Sequence, residues 1–260
     1  MLLAIDVGNT TTVLAVSELD GARWSATWRL SSDRARTPDD WAATVVALAS
    51  SDGVRLSDVS AVVVASVVPV ISASILGWCR GRLHLEPLVV SAALELGVEL
   101  DVETPFELGA DRICSVVAAW ELVRDAVVVV DAGTATKVEA VSSDGVYRGG
   151  AIAVGLGLSL EALAGRAALL YGVPLSPSAR VAGRNTIEAI QGGIVNGHAH
   201  MVAGLVADVS RELGGAGRVL LSGGYSPILS PLLPHAELVP DLTLDGLRLI
   251  HRRNTVAPEG

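Results

Sequence analysis

Aromatic residues and cysteines are scarce in this chain, and both shortages narrow the classes of protein to consider. Only 3% of the 260 residues are Phe, Trp or Tyr although half are hydrophobic, so the core must consist of Val, Leu, Ala and Ile. Two cysteines, Cys79 and Cys114, are too few for a disulfide scaffold. They fit a reducing compartment, and we expect both to be small buried hydrophobic side chains.

Basic clusters are also missing from the sequence. The formal net charge is −9 at pH 7, and the densest basic groups are isolated pairs of arginines. A surface for nucleic acid or for anionic membranes needs a clustered basic footprint. Neither kind of partner is therefore expected.

No segment has the pattern of a signal peptide or of a membrane span. The first apolar run follows no basic region and meets Asp6 too early for a signal peptide. Residues 61–79 are uncharged, but their β-branched first half and Pro69 predict a buried strand followed by a helix. We expect a cytoplasmic protein.

Three common motifs of nucleotide-binding and hydrolytic enzymes are absent as well. The sequence contains no intact Walker A loop, no GxGxxG after its first strand and no GxSxG. P-loop, Rossmann and nucleophile-elbow interpretations therefore lose their main support.

One short sequence motif occurs twice in the chain. In each copy an apolar run ends in an acidic residue and a tight turn, and a second β-rich stretch follows; the copies are Asp6-Val7-Gly8-Asn9-Thr10 and Asp131-Ala132-Gly133-Thr134-Ala135. Such a turn aims backbone N–H groups and hydroxyls at one point, which suits a phosphate. Its glycine lets the backbone come close. The acidic residue would anchor a cation that neutralises the phosphates.

The order of predicted elements is repeated too. Strands are predicted near 1–6, 12–17, 24–30, 60–66 and 87–90, and again near 127–131, 136–141, 145–153, 218–222 and 237–239. Helices are predicted near 39–50, 69–82, 112–124, 157–170, 187–213 and 243–250, with an irregular segment at 92–110. We predict an α/β fold of two duplicated ribonuclease-H-like lobes (β-β-β-α-β-α-β), residues 1–112 and 113–260, with a nucleotide cleft between them.

These features resemble the actin, heat-shock ATPase and sugar-kinase superfamily, and within it the type III pantothenate kinases. Besides the two hairpins, the matching motifs are Ser66-Val67-Val68-Pro69, Leu108-Gly109-Ala110-Asp111-Arg112, Gly149-Gly150-Ala151-Ile152, Gly183-Arg184-Asn185-Thr186 and Ser222-Gly223-Gly224. Each motif alone is weak, but together and in this order they are specific.

The resemblance implies ATP-dependent phosphorylation of pantothenate to 4'-phosphopantothenate, the first step of coenzyme A biosynthesis. It implies ATP with Mg²⁺, a monovalent cation (K⁺ or NH₄⁺) and a homodimer. The residues implied to bind ATP are Asp6, Val7, Gly8, Asn9, Thr10, Thr11, Thr12, Val13 and Thr134. Those implied to bind the substrate are Val102, Gly109, Ala110, Asp111, Arg112 and Thr186.

The resemblance also assigns individual roles. Asp111 is implied to be the general base, Arg112 to hold the substrate carboxylate, and Asp131 to be tied to the monovalent cation. The chemistry of the residues agrees, since pantothenate is a small anion with a primary alcohol. Its phosphorylation needs a protein carboxylate near the alcohol and a fixed positive charge that binds the carboxylate of pantothenate. Arg suits the second task because it binds a carboxylate bidentately.

The sequence departs from the family pattern at three places. Val102 stands where many members have Tyr, Val154 replaces a proline, and the second hairpin continues into Lys137 and Glu139. The Lys137 ammonium could partly replace the monovalent cation. Alternatively, Lys137 and Glu139 form a solvated pair on one strand face, and this second interpretation is the one we favour from the sequence.

Two other functions remain open at this point. The chain could be a kinase acting on another small hydroxy acid, an alternative that Val102 leaves open. It could also be a non-catalytic regulator that binds a nucleotide or a pantothenate-like ligand. The intact Asp6, Asp111 and Asp131 speak against the regulator, because binding alone has less need of a base.

Overall fold

The computed structural model describes residues 1–19, 21–166, 172–215 and 217–255. Contacts within the chain divide it into two compact units. The first comprises Met1–Gly97, Thr104–Ala118 and the residues from Thr243 onward, and the second comprises Val98–Glu103 and Ala119–Leu242.

The first unit contains a five-stranded sheet. Its strands are β1 (Leu2–Val7), β2 (Thr11–Ser17), β3 (Ala26–Ser31), β4 (Ala61–Ser66) and β5 (Leu88–Val89), in the spatial order β3-β2-β1-β4-β5. The pairs β3–β2 and β2–β1 are antiparallel, whereas β1–β4 and β4–β5 are parallel. β1 is buried along almost its whole length, as its continuous apolar sequence predicts.

Helices α1 (Pro38–Ser51), α2 (Pro69–Trp78) and α3 (Ala110–Val123) also begin in this unit. The start of α1 is a capping box: the Asp40 N–H donates to the Thr37 hydroxyl, and the Thr37 N–H donates to the Asp40 carboxylate. Its buried face, which includes Trp41 and Val45, packs into one core with Trp78 of α2.

The second unit repeats this sheet and extends it. Its strands are β6 (Glu99–Leu100), β7 (Val127–Ala132), β8 (Ala135–Val141), β9 (Val146–Val154), β10 (Arg218–Ser222) and β11 (Ala236–Leu238). The spatial order β11-β10-β7-β8-β9-β6 is the order of the first sheet with β6 added at one edge. The predicted duplication is therefore confirmed.

The helices of the second unit are α4 (Leu156–Arg166), α5 (Thr186–Gln191), α6 (Gly197–Glu212) and α7 (Ser226–Leu229). A π-helical turn at Gly192–Asn196 joins α5 to α6. Val195 of the π turn and Ala199 and Val202 of α6 pack on the sheet, where they share a core with Val128 and Val130 of β7.

The last helix, α8 (Leu242–Thr255), packs against α3 within the first unit. The Ser115 and Thr243 hydroxyls are hydrogen-bonded at 3.1 Å, and Gly246 lies so close that a Cβ there would overlap the Cys114 backbone. This packing explains why residues 113–118 and the C-terminal helix belong to the first unit, whereas residues 119–242 belong to the second.

Most predicted elements form, and the differences are local. The segment predicted to be irregular, 92–110, contains β6 and a 3₁₀ turn at Pro105–Glu107, and the short helix α7 was not predicted. The predicted helix at 187–213 is interrupted by the π turn, and residues 167–170 of the predicted helix at 157–170 lie outside the described residues. Cys79 and Cys114 are both buried and free, as expected. Within the described ranges, no helix is long and apolar enough to span a bilayer.

Gly246 provides a test of the α3–α8 packing. We expect Gly246→Ala to lower the free energy of unfolding by roughly 1–3 kcal/mol, because the added methyl group overlaps the Cys114 carbonyl group. Gly204→Ala is the matched control, because Gly204 also lies within a helix and a Cβ there has no neighbour within 4 Å. That change should leave stability the same or raise it by up to about 1 kcal/mol. Urea denaturation measures both, and equal stabilities of the two variants would contradict the packing argument.

Two buried histidines make the stability of the fold depend on pH. Burial lowers the pKa of His198 and of His251 from the ordinary value of 6.5. The unfolded chain therefore takes up protons at a higher pH than the folded chain does. The stability that the two neutral, buried imidazoles contribute is complete above about pH 6.5, the pKa of histidine in the unfolded chain. It is lost as the pH falls from there through the lowered pKa values of the folded chain.

We therefore expect the melting temperature to fall between about pH 7.5 and about pH 5.5, and the doubly substituted His198→Asn/His251→Asn protein to show a flatter dependence. His200 is exposed on the same helix as His198, so His200→Asn is the control and should keep the wild-type slope. Scanning calorimetry across this pH range decides the question. An unchanged slope in the double variant would overturn the assignment.

Candidate active site

The first hairpin presents an exposed tip at the end of a buried strand. β1 and β2 pair up to Val7 and Thr12, which leaves residues 8–11 as the turn, and the Gly8 N–H donates to the Thr11 carbonyl at 3.1 Å. A Cβ at Gly8 would lie 3.0 Å from that carbonyl, so the close turn favours glycine. Asn9, Thr10 and Thr11 are exposed, whereas Asp6 is half-buried at the base. The geometry suits a loop that wraps a phosphate.

Ser32 braces this turn, although sequence reasoning did not single it out. Its hydroxyl donates to the Gly8 carbonyl at 2.6 Å, and its N–H donates to the Thr10 carbonyl at 3.0 Å. It is also 2.9 Å from the hydroxyl of the buried Thr12. Ser32 follows β3, which pairs with β2, so the contact arises from strand pairing and no local motif indicates it.

Asp111 and Arg112 occupy the first turn of α3 and are both partly buried. One carboxylate oxygen of Asp111, Oδ1, accepts the Arg112 N–H at 2.8 Å. A Cβ at Gly109 would lie 2.6 Å from the same oxygen and 3.4 Å from Val67. Glycine at 109 therefore lets the carboxylate fold back over the chain, beside the segment that follows β4.

Helix α3 begins beside the base of the first hairpin, because the Val67 N–H donates to the Val7 carbonyl at 3.1 Å and a Cβ at Gly109 would lie 3.4 Å from Val67. Cys114 lies one turn after Asp111 and is fully buried. Burial raises the pKa of its thiol well above the ordinary value, and the negative charges of Asp6 and then Asp111 raise this pKa further. Hairpin and helix, distant in the sequence, form one acidic site in the first unit.

The second hairpin has the same construction but is one residue shorter. β7 and β8 pair up to Ala132 and Thr136, which leaves residues 133–135 as the turn, and the Gly133 N–H donates to the Ala135 carbonyl at 3.1 Å. The Gly155 N–H donates to the Thr134 carbonyl at 3.2 Å. A side chain at Gly155 would overlap that carbonyl, so the start of α4 lies directly against the turn.

The polar residue after each turn is buried and bonded to a different partner. Thr12 is paired with Ser32, whereas the equivalent Thr136 is hydrogen-bonded to His198 of α6 at 2.9 Å. His198 therefore connects the second hairpin to α6 through a buried hydrogen bond. Its neighbour in the sequence, His200, is exposed, as expected for residues two apart on a helix.

Asp131 forms an ion pair, and its partner is Lys137. The Lys137 Nζ donates to the Asp131 Oδ2 at 2.7 Å, with side chains 15% and 16% exposed. The expectation that Lys137 and Glu139 are solvated is wrong. Glu139 is only 1% exposed and accepts a hydrogen bond from the Tyr147 hydroxyl at 2.6 Å. The alternation of a strand puts both side chains on one face, and that face is largely shielded from water.

Thr186 is the first residue of α5 and is exposed. The preceding residues of its motif cap the helix: the Asn185 side chain accepts the Glu188 N–H at 2.9 Å, and the Glu188 carboxylate accepts the Arg184 N–H at 2.8 Å. A cavity of about 490 Å³ opens here, lined by Arg184, Asn185 and Thr186 and by apolar residues that include Leu163 and Ile190. Thr186 thus faces a space large enough for a small ligand.

Val102, the position expected to be occupied by Tyr, is partly buried and follows the edge strand β6. Among the residues that the structure describes, His, Cys, Asp and Glu nowhere gather in threes as they would to hold a metal ion.

Comparison with known proteins identifies the family. The model of the type III pantothenate kinase family matches residues 2–208. The type III pantothenate kinase of Thermomicrobium roseum is 41% identical over 97% of this chain and 97% of its own length. That of Moorella thermoacetica is 40% identical over 98% of this chain and its whole length.

Solved structures agree on the fold. The (R)-2-hydroxyglutaryl-CoA dehydratase component A of Acidaminococcus fermentans is 15% identical and has a TM-score of 0.55, over 96% of this chain and 95% of that one. The activator of the 2-hydroxyisocaproyl-CoA dehydratase of Clostridium difficile is 13% identical with a TM-score of 0.52, over 96% and 92%. The predicted α/β fold of two duplicated lobes, each with a sheet of the same strand order, is confirmed. By sequence over nearly its full length, the chain belongs to the type III pantothenate kinase family.

Proposed function

We propose that this protein transfers the γ-phosphoryl group of ATP to the primary alcohol of pantothenate and forms 4'-phosphopantothenate, the first step toward coenzyme A. The observation that carries the proposal is the acidic site of the first unit. There, Val67 links the two parts: its N–H donates to the carbonyl of Val7, next to Asp6, at 3.1 Å, and a Cβ at Gly109, two residues before Asp111, would lie 3.4 Å from its side chain. A kinase acting on a small hydroxy acid needs a phosphate loop, a base and a cation for the acid in one place.

In this proposal Asp111 accepts the proton of the substrate hydroxyl as the hydroxyl oxygen attacks the γ-phosphorus. Its position in the first turn of α3, with Oδ1 held by the Arg112 N–H, fixes the direction of the carboxylate. Arg112 binds the substrate carboxylate through its planar guanidinium group. Thr186 contributes a hydroxyl to the substrate from the cavity that it lines.

The nucleotide is proposed to contact residues 6–13 of the first hairpin and Thr134 of the second. Backbone N–H groups and the exposed side chains of Asn9, Thr10 and Thr11 would bind its phosphate oxygens. Mg²⁺ would accompany ATP and neutralise part of the phosphate charge.

A homodimer in the cytoplasm is also proposed, in line with the family resemblance. Ile152 and Val154 on β9 are 62% and 58% exposed, and such neighbouring apolar side chains would be covered by a second copy of the chain. Size-exclusion chromatography with light scattering reports the oligomeric state directly.

The proposed base is tested by Asp111→Asn. In a coupled assay of ATP consumption with pantothenate, we expect kcat to fall by about 10²–10⁴-fold, because the amide cannot accept the proton. Asp208→Asn is the matched control, since it removes a carboxylate from an exposed pair with Arg211 on α6 and should leave kcat unchanged. Undiminished turnover in the Asp111 variant would exclude this residue as the base.

The same assay separates the alternative functions. Turnover with another small hydroxy acid but not with pantothenate would favour the second kinase hypothesis. Binding of nucleotide without turnover of any hydroxy acid would favour the non-catalytic regulator.

The proposed role of Arg112 predicts a different kinetic signature. We expect Arg112→Lys to raise the KM for pantothenate about 10-fold or more while the KM for ATP stays the same, because a point charge cannot replace the bidentate contact. Arg211→Lys in the exposed pair on α6 is the control. A change confined to the KM for ATP would contradict the assignment.

A further inference from the structure

The Asp131 carboxylate, which the family resemblance assigns to a monovalent cation, is paired with an ammonium group of this chain. Asp131 and Lys137 stand directly opposite each other on β7 and β8. Their side chains meet at 2.7 Å and are 16% and 15% exposed. The pair is thus short, mostly shielded from water and formed between neighbouring strands of one hairpin.

The other side of the carboxylate is enclosed by backbone. A Cβ at Gly223, in the turn after β10, would lie 2.5 Å from Asp131 Oδ1. A Cβ at Gly133, in the hairpin turn, would lie 3.6 Å from Asp131 Oδ1 and 4.0 Å from Asp131 Oδ2. Gly223 has a φ of +93°, a conformation that favours glycine. Two glycine turns and one ammonium group therefore surround the carboxylate.

This arrangement does not fit a potassium ion at Asp131. A second unit charge about 4 Å from the ammonium group would bind roughly a thousandfold more weakly, at the effective dielectric constant typical of partly buried pairs. Glu139, on the same strand face, is buried and accepts a hydrogen bond from the Tyr147 hydroxyl. The ammonium group stays at Asp131 because leaving would strand a buried carboxylate.

The first hairpin shows that the lysine does not come from the repeated architecture. The register position opposite Asp6 is occupied by Val13, whereas the position opposite Asp131 is occupied by Lys137. The fold tolerates an apolar residue at that position, so the charge is a particular property of the second hairpin.

We propose that the Lys137 ammonium group is a covalently tethered monovalent cation at Asp131, so that this kinase needs neither K⁺ nor NH₄⁺. The tethered charge would balance Asp131 beside the turn that carries Thr134, which is proposed to contact the nucleotide. The part of this inference that concerns activity rests on the proposed pantothenate kinase function. The part that concerns cation binding does not.

Cation binding is tested with thallium, which replaces potassium in protein sites and is observable by NMR. We expect the wild-type protein to show no saturable Tl⁺ binding, and Lys137→Met to gain a Tl⁺ site that excess K⁺ empties. Lys137→Arg keeps a positive charge and should gain no such site. Arg148→Met, which breaks an exposed ion pair with Asp101, is the control for the loss of a positively charged side chain elsewhere in the same unit.

Activity is then measured in potassium, sodium and choline chloride at equal ionic strength. The wild-type rate should agree within about twofold among the three salts. Lys137→Met should lose about tenfold or more of its kcat/KM in choline and regain part of it in potassium. Lys137→Arg should remain independent of potassium.

Two results would overturn the proposal: saturable, K⁺-displaceable Tl⁺ binding to the wild-type protein, or strict potassium dependence of its activity. The wild-type measurements decide the matter even if Lys137→Met fails to fold. Absence of pantothenate phosphorylation in every salt would refute the proposed function instead. Thallium binding would then still decide whether Asp131 accepts a free cation.

Discussion

Both sheets depend on one parallel pairing, in which a buried central strand lies beside the crossover strand, the strand that the chain forms after crossing over the sheet. β1 pairs with β4 and β7 pairs with β10, so the carboxyl ends of each pair lie at one edge. The hairpin turn after the central strand therefore meets the loop after the crossover strand. In the first unit that loop begins at Val67, whose N–H donates to the Val7 carbonyl at 3.1 Å, and in the second it begins with Gly223 against the carboxylate of Asp131.

The two edges handle their negative charge differently. At the first edge Asp6 lies opposite the apolar Val13, and the helix that carries Asp111 begins beside the base of the hairpin through the contact of Gly109 with Val67. At the second edge Lys137 neutralises Asp131 within the hairpin. A repeated backbone thus carries two electrostatic environments, because a single substitution opposite the aspartate, Val13 in one copy and Lys137 in the other, changes the local charge.

Much of the fold was readable from the sequence because its strongest signals are local. The apolar runs before Asp6 and Asp131 gave the central strands, and the capping pattern at Thr37 gave the start of α1. Elements whose formation depends on distant partners were missed. β6 has two residues and exists only through pairing with β9, and Ser32 reaches the first turn only because β3 lies beside β2.

The sequence by itself determined the duplicated architecture and the family, since glycine turns, acidic residues and apolar strands follow one another in a diagnostic order. It could not determine which charged side chain meets which. Lys137 and Glu139 lie on the same strand face and could have paired in water. The tertiary structure buries Glu139 against Tyr147 and turns Lys137 to Asp131, because buried charges are stable only beside partners that replace their lost hydration.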